Sequence, residues 1–183
     1  MGSSSHVLTL GFLRPGERDH WLNRLIAMPI VSQHLFCHVE LYFEGQAQAF
    51  SIVWGERAGL KPKSMANPQY SLLSVCVSAD EYEKTLQFCR TLSTQGITFD
   101  DWSMARSLCP VTCLERNSQQ VGASFCSKLI AEALQFGGVR EVEHLSAPAA
   151  TPSRLYECFR YSPRLVCNSV PYKRQAFLML SSL

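Results

Sequence analysis

Two apolar runs of β character stand almost back to back, Leu35 to Phe43 and Ala47 to Trp54, joined across Glu44-Gly45. The first alternates as a strand with one buried face does, and a short Gly-containing connection between two such runs reads as a β-hairpin. A hairpin commits this part of the chain to antiparallel pairing, and the remaining elements must pack around it. His6 to Leu13 reads as an earlier strand, with Val7, Leu8, Leu10, Phe12 and Leu13 as its apolar positions and Pro15-Gly16 as its break. Tyr70 to Val77 reads as a further strand. Gly59 to Gln69, rich in Pro, Lys and Asn, reads as a loop.

Helical signals separate these runs. Glu17 to Ala27 is expected to be a helix, because Trp21, Leu22, Leu25 and Ile26 fall on one face, and Pro29 ends it. Ser78-Ala-Asp-Glu81 has the form of a capping box, in which the Ser oxygen and the Glu carboxylate satisfy reciprocal backbone N–H groups. The helix it opens runs to about Thr94 on Tyr82, Leu86, Phe88, Cys89 and Leu92, with Gly96 as its stop. A short helix is expected over Asp100 to Leu108 and a loop over Asn117 to Ala123. A strong helix covers Phe125 to Phe136, with Ser124 as N-cap and Gly137-Gly138 as its end. Thr151 caps a short helix that has Pro152 in its first turn, and Ala176 to Leu180 forms one last strand. The sum is an α+β fold, a mainly antiparallel sheet of four to six strands packed against helices. No repeat or linker divides residues 1–183, so a single domain is expected.

Composition narrows the function classes. Apolar residues make up 46% and charged residues 17%, the balance of a globular chain. Lys plus Arg is 17 and Asp plus Glu is 15, a formal charge of +2, which gives no reason to expect nucleic acid or an anionic membrane as partner. Arg154, Arg160, Arg164, Lys173 and Arg174 read as scattered exposed charge, and Lys61-Pro-Lys63, with Arg57 before it, as a solvated loop. No run approaches the roughly 18 apolar residues of a spanning helix, and the first residues lack a signal sequence. The eight cysteines lie mostly within apolar runs, so they read as reduced packing residues of a cytoplasmic protein. Cys109 and Cys113 have a spacing compatible with zinc, but no second Cys or His pair completes a site, and no cofactor is expected.

One cysteine has a different context. In Gly122-Ala-Ser-Phe-Cys-Ser-Lys-Leu-Ile130, small residues lead into a helix whose first turn carries Cys126. A helix N-terminus offers unpaired N–H groups and the positive end of the dipole, which favour thiolate, the nucleophilic form. Lys128 adds positive charge nearby. Among the five histidines, His38 sits in the strand Phe36-Cys-His-Val-Glu-Leu-Tyr-Phe43, where a general base for the thiol would be held rigidly.

His38-Val-Glu-Leu-Tyr42 within a hairpin, followed much later by Phe125-Cys-Ser-Lys-Leu-Ile130 opening a helix, resembles the circularly permuted papain-like branch of the NlpC/P60 superfamily. That branch includes lecithin:retinol acyltransferase-like enzymes and a set of bacterial and poxvirus proteins. The resemblance covers roughly residues 35 to 136. It implies a permuted papain-like fold and a cysteine hydrolase of peptidase, amidase or deconjugating type. Such an enzyme works through an acyl-enzyme on a peptide, amide or acyl-ester substrate. It also implies a third residue that orients the imidazole, near the second hairpin strand. Over Phe50 to Ile52 the polar residue is Ser51, a weaker orienter than a carboxylate. Glu40 shares the strand face of His38, but roughly 6 to 7 Å between Cα atoms places it too far along for the obvious ring contact. Asp100 or Asp101 is a further alternative. The family's lipid-acting members carry a C-terminal membrane anchor for which this sequence offers no candidate, so hydrolysis is expected ahead of lipid or thioester acyl transfer. A catalytically inactive interaction module on the same scaffold is the competing expectation.

Overall fold

A computed structural model describes residues 5–15, 36–46, 48–64, 69–100 and 123–169. Six strands make up its main sheet: β1 (Ser5–Leu13), β2 (His38–Phe43), β3 (Gln48–Ser51), β4 (Gly59–Pro62), β5 (Tyr70–Ser78) and β8 (Leu165–Ser169). They pair antiparallel throughout, in the order β4-β3-β2-β1-β5-β8. A separate two-stranded parallel pair joins β6 (Thr98–Phe99) to β7 (Ala123–Ser124). Three α-helices complete the described fold: α1 (Ala79–Gln95), α2 (Cys126–Phe136) and α3 (Pro152–Arg160). The architecture is therefore mixed α and β, with the antiparallel pairing expected from the hairpin.

Period-2 alternation decides which side chains meet the helices. Leu8, Leu10 and Phe12 of β1 lie opposite Phe43, Leu41 and Val39 of β2, and all six enter the buried core. Leu73, Val75 and Val77 of β5 join them, with Ile130, Leu134 and Leu129 of α2 and Leu86, Cys89 and Leu92 of α1. The alternate positions of β2 are His38, Glu40 and Tyr42, all three buried as well.

The capping box forms as expected: Glu81 N–H donates to Ser78 Oγ at 3.2 Å, and Ser78 N–H donates to Glu81 Oε2 at 2.7 Å. Gly96 ends α1 in the left-handed conformation at φ 68°. The two long helices touch where α2 stops. A Cβ at Gly137 would lie 2.0 Å from Thr85 Oγ1 on α1, so only glycine permits this approach. Thr151 caps α3 by accepting from Arg154 N–H at 3.2 Å. Arg164, just ahead of β8, joins three distant segments by donating to Glu81 of α1 and to Glu141.

Several boundaries differ from the sequence expectation. The stretch expected as a loop from Gly59 contains β4, whose Gly59 to Pro62 pair with Ser51 to Gln48. An edge strand needs partners on one side alone, so Pro62 is tolerated there. The run expected to continue to Trp54 leaves the sheet after Ser51, where Glu56 N–H closes a turn onto the Val53 carbonyl at 3.0 Å and Gly55 takes φ 77°. Residues Leu165–Ser169, within the tail, form the far edge strand beside β5. Phe125, not Ser124, is the N-cap of α2; Ser124 belongs to β7, where pairing with Phe99 fixes its backbone. The helix expected over 17–27 and the strand expected over 176–180 lie outside the described residues. So do positions 101–108 of the expected short helix and 117–122 of the expected loop. Among the described residues no helix is long and apolar enough to cross a membrane.

Candidate functional site

Cys126 is the first residue of α2, and His38 is the first of β2. The chain reaches Cys126 from β7 through Phe125, which stays extended at φ −130°, ψ 163°, so the helix begins abruptly at the cysteine. Ser127 Oγ then donates to the Ala150 carbonyl at 2.8 Å and fastens the first turn of the helix. The Cys126 sulfur accepts backbone N–H groups from Ser127 and from Val39, and it hydrogen-bonds the His38 ring. The Val39 amide is free to do this because β3 stops early. Leu41 pairs with Phe50, so the residue opposite Val39 is Ile52, already past the end of the strand.

His38 Nε2 lies 3.2 Å from Glu40 Oε1, which leaves Nδ1 as the ring nitrogen for the sulfur. Both side chains are long enough to lean together along the strand, which closes the gap that Cα spacing alone made too wide. Glu40 is fully buried at 0% exposure and is surrounded by donors. Lys63 Nζ donates to the same Oε1 at 2.7 Å, and the Tyr42 hydroxyl donates to Oε2 at 2.9 Å. The Tyr70 hydroxyl also bonds this carboxylate. Gly11 lies opposite Glu40 on β1, and a Cβ there would come within 2.9 Å of the Tyr42 ring and 3.0 Å of the Tyr70 ring. Its bare backbone makes room for both phenols.

The electrostatics follow from this chain of contacts. Burial is the largest influence on Cys126 and pushes its thiol up, but His38 and the two backbone donors together outweigh it and leave the thiol lowered. Burial likewise disfavours a charged His38, yet Cys126 and then Glu40 raise it to about 9. Burial would also push Glu40 up, and the hydrogen bonds from His38 and Lys63 bring it down to about 2. These directions favour an imidazolium–thiolate pair backed by a carboxylate. Cys89 provides the contrast: fully buried and without such partners, its thiol is pushed far up. Cys126 is 5% exposed and His38 9%, so the pair sits just beneath the surface.

Of the residues singled out in the sequence, Cys126, His38 and Glu40 are brought together. Ser51 is not brought into contact with the ring. Register carries it opposite Glu40, but its Oγ is buried without a hydrogen-bond partner, and the carboxylate occupies the imidazole nitrogen instead. Asp100 sits beside β7, its N–H donating to the Ser124 carbonyl at 2.7 Å, and Asp101 lies outside the described residues. Lys128 turns toward Glu132 at 3.9 Å. Lys63, Tyr42, Tyr70 and Gly11 are site residues to which the sequence assigns no catalytic role. Tyr42 was within its reach, being two residues past Glu40 on the same face. The other three are joined to the site only by sheet pairing and a long side chain. Cys37, Cys76, Cys89, Cys126 and Cys158 are free thiols, and Cys109 and Cys113 lie outside the described residues. No group of three or more His, Cys, Asp or Glu among the described residues is placed to hold a metal ion. No family model, curated protein or solved structure matches this chain.

Proposed function

We propose that the chain is a cysteine hydrolase of the permuted papain-like type, acting on a peptide, amide or acyl-ester carbonyl. The observation that carries this reading is the continuous chain Cys126–His38–Glu40, with the sulfur at a helix N-terminus. The thiolate of Cys126 attacks the carbonyl carbon, and the resulting oxyanion is held by backbone N–H groups at the start of α2, that of Cys126 among them. The tetrahedral intermediate collapses as His38 gives its proton to the departing amine or alkoxide, leaving a thioester on Cys126. Neutral His38 then takes a proton from water, the hydroxide attacks the thioester, and thiolate and carboxylic acid are released. Glu40 keeps the ring oriented and stabilises its charged form throughout. Acyl transfer to an acceptor other than water follows the same steps with that acceptor in the water's place. The near-burial of Cys126 favours one competing reading, an inactive interaction module in which the pair is sealed off.

Alkylation separates them. Iodoacetamide modification of each cysteine, mapped by mass across pH 4 to 9, is expected to show Cys126 reacting about 10²-fold faster than Cys76 at mildly acidic pH. His38→Ala is expected to abolish that low-pH reactivity. A Cys126 no faster than Cys76, or indifferent to loss of His38, rejects the hydrolase reading in favour of the module.

A further inference from the structure

We propose that Lys63 is a positioning residue for the dyad: its ammonium holds the same Glu40 oxygen that receives the His38 ring, and so sets how much of the carboxylate's charge the imidazole feels. This rests on the reading of Cys126 and His38 as a reacting pair. Lys63 follows Pro62 at the end of β4, and its side chain reaches across β3 to Glu40 on β2. Oε1 is shared at 2.7 Å from Lys63 Nζ and 3.2 Å from His38 Nε2, which confines the two cationic groups to within about 6 Å of each other. Lys63 therefore acts on His38 twice, by drawing on the carboxylate and by direct like-charge repulsion. Both effects oppose the charged imidazole.

The surroundings leave few other charges to do this. From β2 and β5 the neighbours of Glu40 are the Tyr42 and Tyr70 phenols, each held neutral by burial and by the carboxylate itself. Cys37 precedes His38, and its thiol points to the Leu13 carbonyl at 3.6 Å. At the end of β1 the Arg14 guanidinium lies over the Phe36 ring. Glu56 and Lys61 pair with each other. Asp100 adjoins β7, and Lys128 on α2 faces Glu132. Lys63 is the cation hydrogen-bonded to the carboxylate, and its side chain is 32% exposed, so it can be replaced without opening the core.

The test is an NMR titration of the His38 imidazole in the full chain, with the resonance assigned through His38→Gln. Four further variants are compared: Lys63→Met, Lys63→Gln, Lys63→Arg and Cys126→Ser. Removal of the charge in Lys63→Met or Lys63→Gln is expected to raise the His38 midpoint by about half a unit to two units. Lys63→Arg, which keeps the charge, is expected to titrate like the native chain. A purely structural role would lower stability and leave the midpoint in place. An unmoved or lowered midpoint in both neutral variants, with Cys126→Ser lowering it as the dyad requires, overturns the role of Lys63 and leaves the dyad standing. A midpoint indifferent to Cys126→Ser overturns the dyad, and the Lys63 proposal with it.

Discussion

Replacing Glu40 by Gln is the sharpest perturbation of the site, because it removes one charge and preserves the shape of the side chain. The carboxylate oxygen lies 3.2 Å from His38 Nε2. At such range two unit charges interact by about 1 kcal/mol in a water-like medium and about 4 kcal/mol at the effective dielectric of a protein site. At about 1.36 kcal/mol per pH unit this is about one to three units. His38, held near 9 in the native chain, is expected to fall to between about 6 and 8. The thiolate loses its charged partner at the same time, so the acid limb of Cys126 alkylation moves up while the midpoint of His38 moves down. The pH window of the ion pair narrows from both ends. Stability gives a second readout with a definite sign. Glu40 is lowered from 4.5 to about 2 on folding, so it contributes stability that is present above 4.5 and lost as pH falls toward 2. That contribution is about 3 kcal/mol at neutral pH, and the Gln variant lacks its pH dependence. The measurements are alkylation rates of Cys126 by mass mapping and urea midpoints from about pH 2 to 9. An alkylation profile that superimposes on the native one would show that the carboxylate does not act on the ring, and the reasoning would be wrong.

Other expectations test the scaffold. Arg164→Met leaves Glu81 and Glu141 without their shared cation, and breaking a part-buried ion network of this kind costs about 1–3 kcal/mol. Burial pushes both carboxylates up, while their hydrogen bonds and Arg164 outweigh it and hold them below 4.5, so the share of stability that the native chain loses as pH falls below 4.5 is expected to shrink in the variant. A urea series against pH reads both effects, and an unchanged midpoint would make the network decorative. Gly137→Ala drives a methyl into Thr85 Oγ1 and the Glu81 carbonyl of α1, and a loss of about 1–3 kcal/mol is expected in thermal unfolding. A neutral outcome would mean that α1 and α2 separate more easily than their crossing implies.

Local chemistry makes much of this fold legible. The hairpin, the capping box at Ser78, the stop at Gly96 and the Thr151-Pro152 helix start each depend on residues a few positions apart. What escapes depends on partners distant in the chain. β4 is short and ends in proline, so it has little strand signal of its own and exists because β3 offers it an edge. Leu165–Ser169 is likewise a strand by virtue of β5. Ser124 has the side chain of an N-cap, but pairing with β6 draws its backbone into a strand and moves the helix start to Cys126. At the site, the His38 and Cys126 contexts are visible in the sequence. The orienting group is not, because Cα spacing says nothing about two long side chains leaning together. Ser51 occupies the position on the second hairpin strand where an orienter is expected, and it is the carboxylate two residues past His38 that meets the ring.

The early end of β3 links fold to chemistry. Had β3 continued one residue further, Ile52 would stand opposite Val39, and the Val39 amide would be spent on a sheet hydrogen bond. Because the strand leaves at Ser51, that amide turns to sulfur, and the thiolate is held by two main-chain donors as well as the imidazole. Main-chain donors carry no titratable proton in the working pH range, so they still hold negative charge at the sulfur above about 9, where the imidazole has lost its proton. In the proposed reaction they act equally when a thioester on Cys126 breaks down and charge returns to the departing sulfur. A site that relied on imidazolium alone would lose its grip on the thiolate at the basic end of its range. Here the two roles are separated. The backbone steadies the sulfur, while the Glu40 carboxylate, with Lys63 drawing on its charge, governs how readily the ring takes a proton and gives it up.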